Sequence, residues 1–144
     1  MTPDANVLIA ATRADHPHHM AARRWLESAL GQATPPLPLT LLPVVVVAFA
    51  RVVTNARVFS PPTPTPEAFA FVAGLLAQPH VRLATHGHEV PRLVELCDRH
   101  SLAGNLLTDA WIAASVLHLG EHLVTFDRDF LRLLPPRHLT LLAA

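Results

Sequence analysis

At 144 residues the chain is long enough for one domain with a single sizeable core, and its 51% hydrophobic and 15% charged content excludes intrinsic disorder. Eleven acidic residues balance eleven basic ones, so no global field attracts a polyanion and any nucleic-acid surface must be a local patch. No apolar stretch reaches membrane-span length, the opening MTPDANVLIAATRAD lacks the basic leader of a signal peptide, and the single Cys97 excludes an internal disulfide; a cytoplasmic setting is expected.

The elements follow one another without a repeat or a long linker, so residues 1–144 are read as one domain. Val7-Leu8-Ile9-Ala10, directly after Asp4-Ala5-Asn6, has the composition of a first strand. Ala22, Leu26, Ala29 and Leu30 lie at helical spacing over 18–31, with Gly31 as a stop signal. Prolines at 35–38 then separate this helix from a short strand expected near 37–41. LLPVVVVAFARVV has strand propensity in its four valines, yet Leu41, Val44, Val45, Ala48 and Val52 form a helical stripe, and the segment is read as a helix. SPPTPTP at 60–66 is a stiff connector into a helix over 66–77, striped by Phe69, Val72, Ala73 and Leu76. Val90, Leu93, Val94 and Cys97 predict a helix over 89–99; Ile112, Ser115, Val116 and Leu119 predict another over 108–119, closed by Gly120. Strands are expected at Val81–Ala84, His122–Phe126 and Leu139–Leu142. Strands alternating with helices indicate an α/β domain with a mainly parallel sheet.

In such a sheet, ligands gather at the carboxyl ends of the strands where strand order reverses. Asp127 follows the strand at 122–126 and belongs at that end. Asp109 falls in the first turn of its helix, where the backbone dipole favours a negative charge, and shares the inward face of Ile112 and Val116. A desolvated carboxylate there needs a cation or a donor, although helix capping by Asp109 and an ordinary turn at Asp127 are the plainer readings of each residue alone. Asp4 joins them only if the first strand starts before it or the chain turns sharply after it. Ten histidines, including His16, His18, His19, His86 and His88, raise a zinc reading, but they are scattered through turns rather than spaced as ligands.

DANVLIAA near the start, GNLLTDAWIAA at 104–114 and LVTFDRDF at 123–130 together resemble the PIN-domain ribonucleases, and among them the VapC-type toxins of bacterial toxin–antitoxin pairs. HMAARRWLESAL at 19–30 and FARVVTNARVF at 49–59 are similar to the same family's intervening helices, so the resemblance covers nearly the whole chain. It implies a three-layer α/β/α sandwich around a mainly parallel sheet, with the first strand running through Asp4 into an acidic pocket. It further implies Asp4, Asp109 and Asp127 as catalytic residues and ligands of Mg²⁺ or Mn²⁺, supported by Asn105, Thr125 and Asp129. The implied activity is endoribonuclease cleavage, inhibited by a small VapB-like antitoxin, in a homodimer. Arg13, Arg51, Arg57 and Arg128 are the motif-linked candidates for RNA contact.

One departure stands out. PIN nucleases usually carry a glutamate on the second helix, three residues before the Arg of a segment like FARV; here that position is Ala48, and no acid occurs between Glu27 and Glu67. VapC-like proteins sharing the F-x-R-x-x-T-N segment often lack it too, so Ala48 is read as a subgroup trait. It motivates the alternative of a catalytically weak or inactive module that binds RNA or a partner. A response-regulator-like phosphotransfer domain also gathers acids at strand ends, but it requires a late Lys, and this chain has none.

Overall fold

Residues 1–31 and 38–143 are described by a computed structural model. The element order is β1 (Thr2–Pro3), α1 (Ala5–Thr12), α2 (His19–Gly31), β2 (Leu39–Leu41), α3 (Pro43–Val53), α4 (Thr65–Leu76), β3 (Val81–Leu83), α5 (Val90–His100), α6 (Leu106–Leu119), β4 (Leu123–Thr125) and β5 (Leu139–Leu141). Two 3₁₀ helices, Arg128–Arg132 and Pro136–His138, join β4 to β5.

β1 pairs in parallel with β4, β4 with β5, and β2 with β3. The two groups meet through Met1, whose nitrogen donates to Pro38 O and whose carbonyl accepts from Thr40 N, both at 2.8 Å, the bonding pattern of a parallel bridge. The strands therefore run in the order β3-β2-β1-β4-β5, all parallel. Two helices fill each crossover from β1 to β2, β2 to β3 and β3 to β4, and the six helices flank the sheet as the three-layer expectation requires. The chain winds outward from β1 to β3 and then returns to the other side of β1. Strand order thus reverses between β1 and β4, where an open α/β sheet opens a crevice for a ligand.

The first apolar run corrects the sequence reading. Val7, Leu8, Ile9 and Ala10 lie in α1, not in a strand; the strand at this position is only Thr2–Pro3. All four residues are buried, so the run carries no exposed position to reveal its period, and a short apolar run of this kind looks alike in a strand and in a buried helix. Asp4 starts the helix: its backbone is extended and its carboxylate accepts from Ala5 N at 2.6 Å. The valine-rich segment is the helix α3, with Pro43 in its first turn. The strand near 37–41 is Leu39–Leu41; residue 37 and most of the proline cluster lie outside the described residues.

Two helix faces are rotated from their predicted stripes. α4 buries Ala68, Val72 and Leu75 and leaves Phe69 and Leu76 exposed. α5 buries only Leu96 fully, while Val90 and Val94 stand in solvent. Both helices lie at the periphery and carry apolar residues on more than one face, so spacing alone does not select the buried one. At the amino ends of the strands, buried Glu121 accepts from Thr40 Oγ1 at 2.6 Å, Met1 N at 2.9 Å and Arg82 at 3.0 Å, fastening β1, β2, β3 and the entry to β4. Burial alone would raise its carboxyl, but these donors hold it below the usual range.

Candidate active site

The carboxyl ends of β1 and β4 deliver Asp4 and Thr125 side by side. Thr125 Oγ1 donates to Asp4 Oδ2 at 2.7 Å and accepts from Asn6 Nδ2 at 2.8 Å and Asp127 N at 3.0 Å. Asn6 also donates to Asp4 Oδ2 at 2.9 Å, and its side-chain carbonyl meets Phe126 N at 3.3 Å. One hydroxyl and one amide thus tie the start of α1 to the end of β4 and aim the Asp4 carboxylate. Thr125 is fully buried and Asp4 nearly so. Asn6 was not among the sequence candidates; its signal was the D-x-N spacing in DANVL, which sets a second polar side chain beside the first acid.

The Asp4 carboxylate faces a cavity of about 500 Å³ whose wall includes Asn6, Ala48, Arg51, Asn105 and Asp109. Asp109 is half-buried in the first turn of α6, as expected. Desolvation pushes the Asp4 carboxyl up to about 6, the Thr125 and Ala5 hydrogen bonds oppose this, and the charges of Asp109 and Asp127 push it further. Asp109 is also raised, by burial and by Asp127 and Asp129, with Arg132 acting against them. The charge of Asp127 therefore acts on both Asp4 and Asp109.

The acids do not all face one point. Asp127 does not line the cavity; its Oδ1 accepts from Asp129 N at 2.8 Å and caps the 3₁₀ helix Arg128–Arg132. Among the described residues, no three His, Cys, Asp or Glu side chains converge closely enough to hold a metal ion. What the site offers a cation is a pair, Asp4 and Asp109, with Asn105 beside them on the same wall. Mg²⁺ takes oxygen ligands and keeps several waters, so two carboxylates and an amide fit it; a soft or dehydrated ion would be poorly served. Ala48, where the family's glutamate is expected, lies on this wall, so the side chain that would complete the set would enter this cavity. Asp129 is exposed on the 3₁₀ helix.

Of the arginines, Arg51 lines the cavity and Arg57 and Arg128 are exposed. Arg13 is engaged elsewhere: it binds both oxygens of Asp15 at 2.9 and 2.7 Å, donates to Pro61 O and Thr63 Oγ1, and lies 4.3 Å from the Phe59 ring centre. A guanidinium so occupied braces the loop that leads into α4. The histidines are employed in packing and hydrogen bonding: His18 stacks on Phe126, and His19 Nδ1 lies 2.8 Å from Ala10 O.

Beside the acid cavity, a second hollow shares Ala48, Arg51, Asn105 and Thr108 with it and extends to Trp111. Trp111 is 36% exposed, and its indole N–H donates to Glu89 Oε1 at 2.6 Å. Glu89, only 2% exposed, also meets His86 Nδ1 and Gly87 N, both at 2.8 Å. Burial would raise this carboxyl, but the three donors overcome it and bring it down to about 2. No spacing rule links Glu89 to Trp111, because Glu89 precedes α5 and Trp111 lies 22 residues later on α6.

Comparison with known proteins agrees with this fold. A family model described as the PIN domain matches residues 1–133. Ribonuclease VapC31 of Mycobacterium tuberculosis is 41% identical over 139 residues, covering 94% of each chain, and Ribonuclease VapC25 of the same species is 38% identical over 137 residues with the same coverage. Two solved structures share the fold. Mycobacterium tuberculosis VapC20, described as a sarcin-ricin loop cleaving toxin, aligns over 90% of this chain and 91% of its own at a TM-score of 0.65 and 20% identity. VapBC2 from Rickettsia felis, bound to a promoter DNA fragment, aligns over 99% and 98% at a TM-score of 0.68 and 17% identity.

Proposed function

Because this chain belongs to the PIN-domain family, and within it to the VapC ribonucleases, we propose that it is a toxin-type endoribonuclease that hydrolyses RNA phosphodiester bonds with Mg²⁺ or Mn²⁺. The observation that carries this reading is the pairing of Asp4 and Asp109 on one cavity at the strand-order reversal, with Asp4 held up at about 6. Two carboxylates forced together at that depth gain most from a divalent cation.

Asp4 and Asp109 would hold the ion, with the Asn105 amide as a further oxygen donor. When bound, a divalent ion lowers the pKa of a coordinated water and offsets charge developing on a phosphate. Thr125 and Asn6 fix the rotamer of Asp4, so the carboxylate is set before any ligand arrives. Asp127 and Asp129 deepen the negative potential from the rim. In this reading Asp127 orients the attacking water through Oδ2, while Oδ1 keeps its cap to Asp129 N.

Partners follow from kinship. VapBC2 is a toxin–antitoxin pair by its name, which supports a VapB-like antitoxin for this chain. Val47 of α3 and Phe69 and Leu76 of α4 are exposed apolar side chains suited to burial in a homodimer. Among the described residues no helix is long and apolar enough to cross a membrane, and we place the protein in the cytoplasm, where its substrate is.

The test is cleavage-site mapping on total RNA with Mg²⁺ or Mn²⁺, with and without EDTA, for wild type and Asp109→Asn. Cleavage that EDTA and Asp109→Asn both abolish is expected. Full cleavage by Asp109→Asn refutes the assignment. The absence of an acid at position 48 favours a second reading, a module that binds RNA without cutting it; wild type that binds RNA yet cuts none with either ion would establish that instead.

A further inference from the structure

A cleft of about 540 Å³ between α5 and the two 3₁₀ helices gathers four of the chain's eleven arginines, Arg92, Arg99, Arg132 and Arg137, together with His100 and His138. Its one acid, Glu95, is shared by Arg92 and Arg99 at 2.7 Å each. Four guanidiniums against one carboxylate leave a formal charge of +3 on a molecule whose net charge is zero. Arg132 and Arg137 are exposed and pair with no carboxylate among the described residues. None of these four was a candidate from the sequence, where they are spread over 46 positions in unrelated motifs.

We propose that this cleft is the phosphate track of the enzyme, along which single-stranded RNA runs away from the acid pair; the proposal rests on the ribonuclease reading above. Position is the first support. The five-residue 3₁₀ helix Arg128–Arg132 has Asp127 as its cap at one end and Arg132 at the other, so one short element joins the acid site to the cleft. Arg132 is near enough for its charge to act on Asp109. α6 also spans both: Asp109 is on its first turn and Leu117 on the cleft wall, eight residues and about 12 Å further along the axis. Chemistry is the second support. Guanidinium forks suit phosphate oxygens, and arginine planes beside exposed Leu131 give unstacked bases a surface to lie on without reading their identity. An acidic protein segment would find the same charge but has no reason to need its continuity with the acid pair.

The measurement is fluorescence anisotropy of a labelled twelve-nucleotide oligouridylate in EDTA, across a salt series, for wild type, Arg132→Ala/Arg137→Ala and Arg23→Ala. Arg23 pairs with Glu27 on exposed α2 and serves as the control. Losing two phosphate contacts should weaken binding about tenfold at ~0.15 M salt and flatten the log–log salt slope by about 1.4, with Arg23→Ala unchanged. Circular dichroism melts of wild type and the double variant should coincide, since neither the Arg132 nor the Arg137 side chain has an ion-pair or hydrogen-bond partner among the described residues. Wild-type affinity and slope in the double variant overturn the track, even if wild type still cuts RNA with Mg²⁺. Polyglutamate that binds wild type, loses affinity in the double variant and leaves RNA binding intact also overturns it and assigns the cleft to an acidic protein. Failure of the ribonuclease reading is separate: wild type would bind through the cleft and cut nothing with either ion.

Discussion

Replacing Glu89 by Gln should destabilise the protein near neutral pH by about 3 kcal/mol. The buried Glu89 carboxylate accepts from Trp111, His86 and Gly87, and these donors move it from the ordinary 4.5 to about 2. A displacement of that size favours the ionised folded state by about 3 kcal/mol. The same figure follows from the contacts, since hydrogen bonds to a charged group contribute roughly 1.5–3 kcal/mol each and glutamine keeps only one acceptor oxygen. The sign is that of a depressed carboxyl: the stabilisation is complete above about 4.5 and is lost as pH falls towards 2. For a domain of this length the loss corresponds to roughly 10 °C in Tm. Calorimetric melts of wild type and Glu89→Gln at pH 7 and at steps down to pH 2.5 would read it. The gap should be widest at pH 7 and narrow steadily below 4.5. Melts within about 3 °C at pH 7, or a gap that does not narrow in acid, would refute the reasoning.

Three further outcomes follow from the acid site. In EDTA, Asp4→Asn should raise stability at pH 7 by about 2 kcal/mol, because a carboxyl raised to about 6 opposes folding once ionised while the lost Thr125 bond takes back about 1 kcal/mol; below about pH 3, where the carboxyl is neutral in folded and unfolded chains, only the lost bond remains and the gain should become a loss of about 1 kcal/mol, and a destabilised variant at pH 7 would contradict this. Thr125→Val keeps the shape of a fully buried side chain but removes the hydroxyl, so melts should show a loss of about 1–3 kcal/mol and an NMR titration should place Asp4 higher than about 6; an unmoved titration would separate Thr125 from Asp4. Ala48→Glu adds a third carboxylate to the cavity and should tighten Mn²⁺ binding at least about tenfold by calorimetry while lowering stability in EDTA; unchanged affinity would mean that this wall does not face the ion.

Residues at regular spacing were legible from the sequence, and residues joined only by the fold were not. α2, α3, α4, α5 and α6 stand where helical stripes put them, and β3, β4 and β5 where short apolar runs sit between turn signals. The strand assigned to Val7–Ala10 failed because a helix buried on all sides shows no period, and the stripes of α4 and α5 were misaimed because both helices are apolar on more than one face. Asp4, Asp109 and Thr125 were named through motif likeness, and the structure brings them to one reversal point. Asp127 was named as well, but its carboxylate caps a 3₁₀ helix beside the cavity rather than lining it. Glu89 with Trp111, and the four arginines of the cleft, left no trace in the sequence, because each pairing depends on how α5 is laid against α6 and the 3₁₀ helices.

The reach of the Asp4 hydrogen bonds has a consequence for the protein's synthesis. β1 is two residues long and bonds only to strands that come much later, and 121 residues separate Asp4 from the hydroxyl that positions it. Pairings of such long range form slowly and late. A nascent chain stalled between Asp109 and Thr125 therefore carries both acids without the crevice that pairs them. The acid pair is thereby assembled only after β4 has been synthesised.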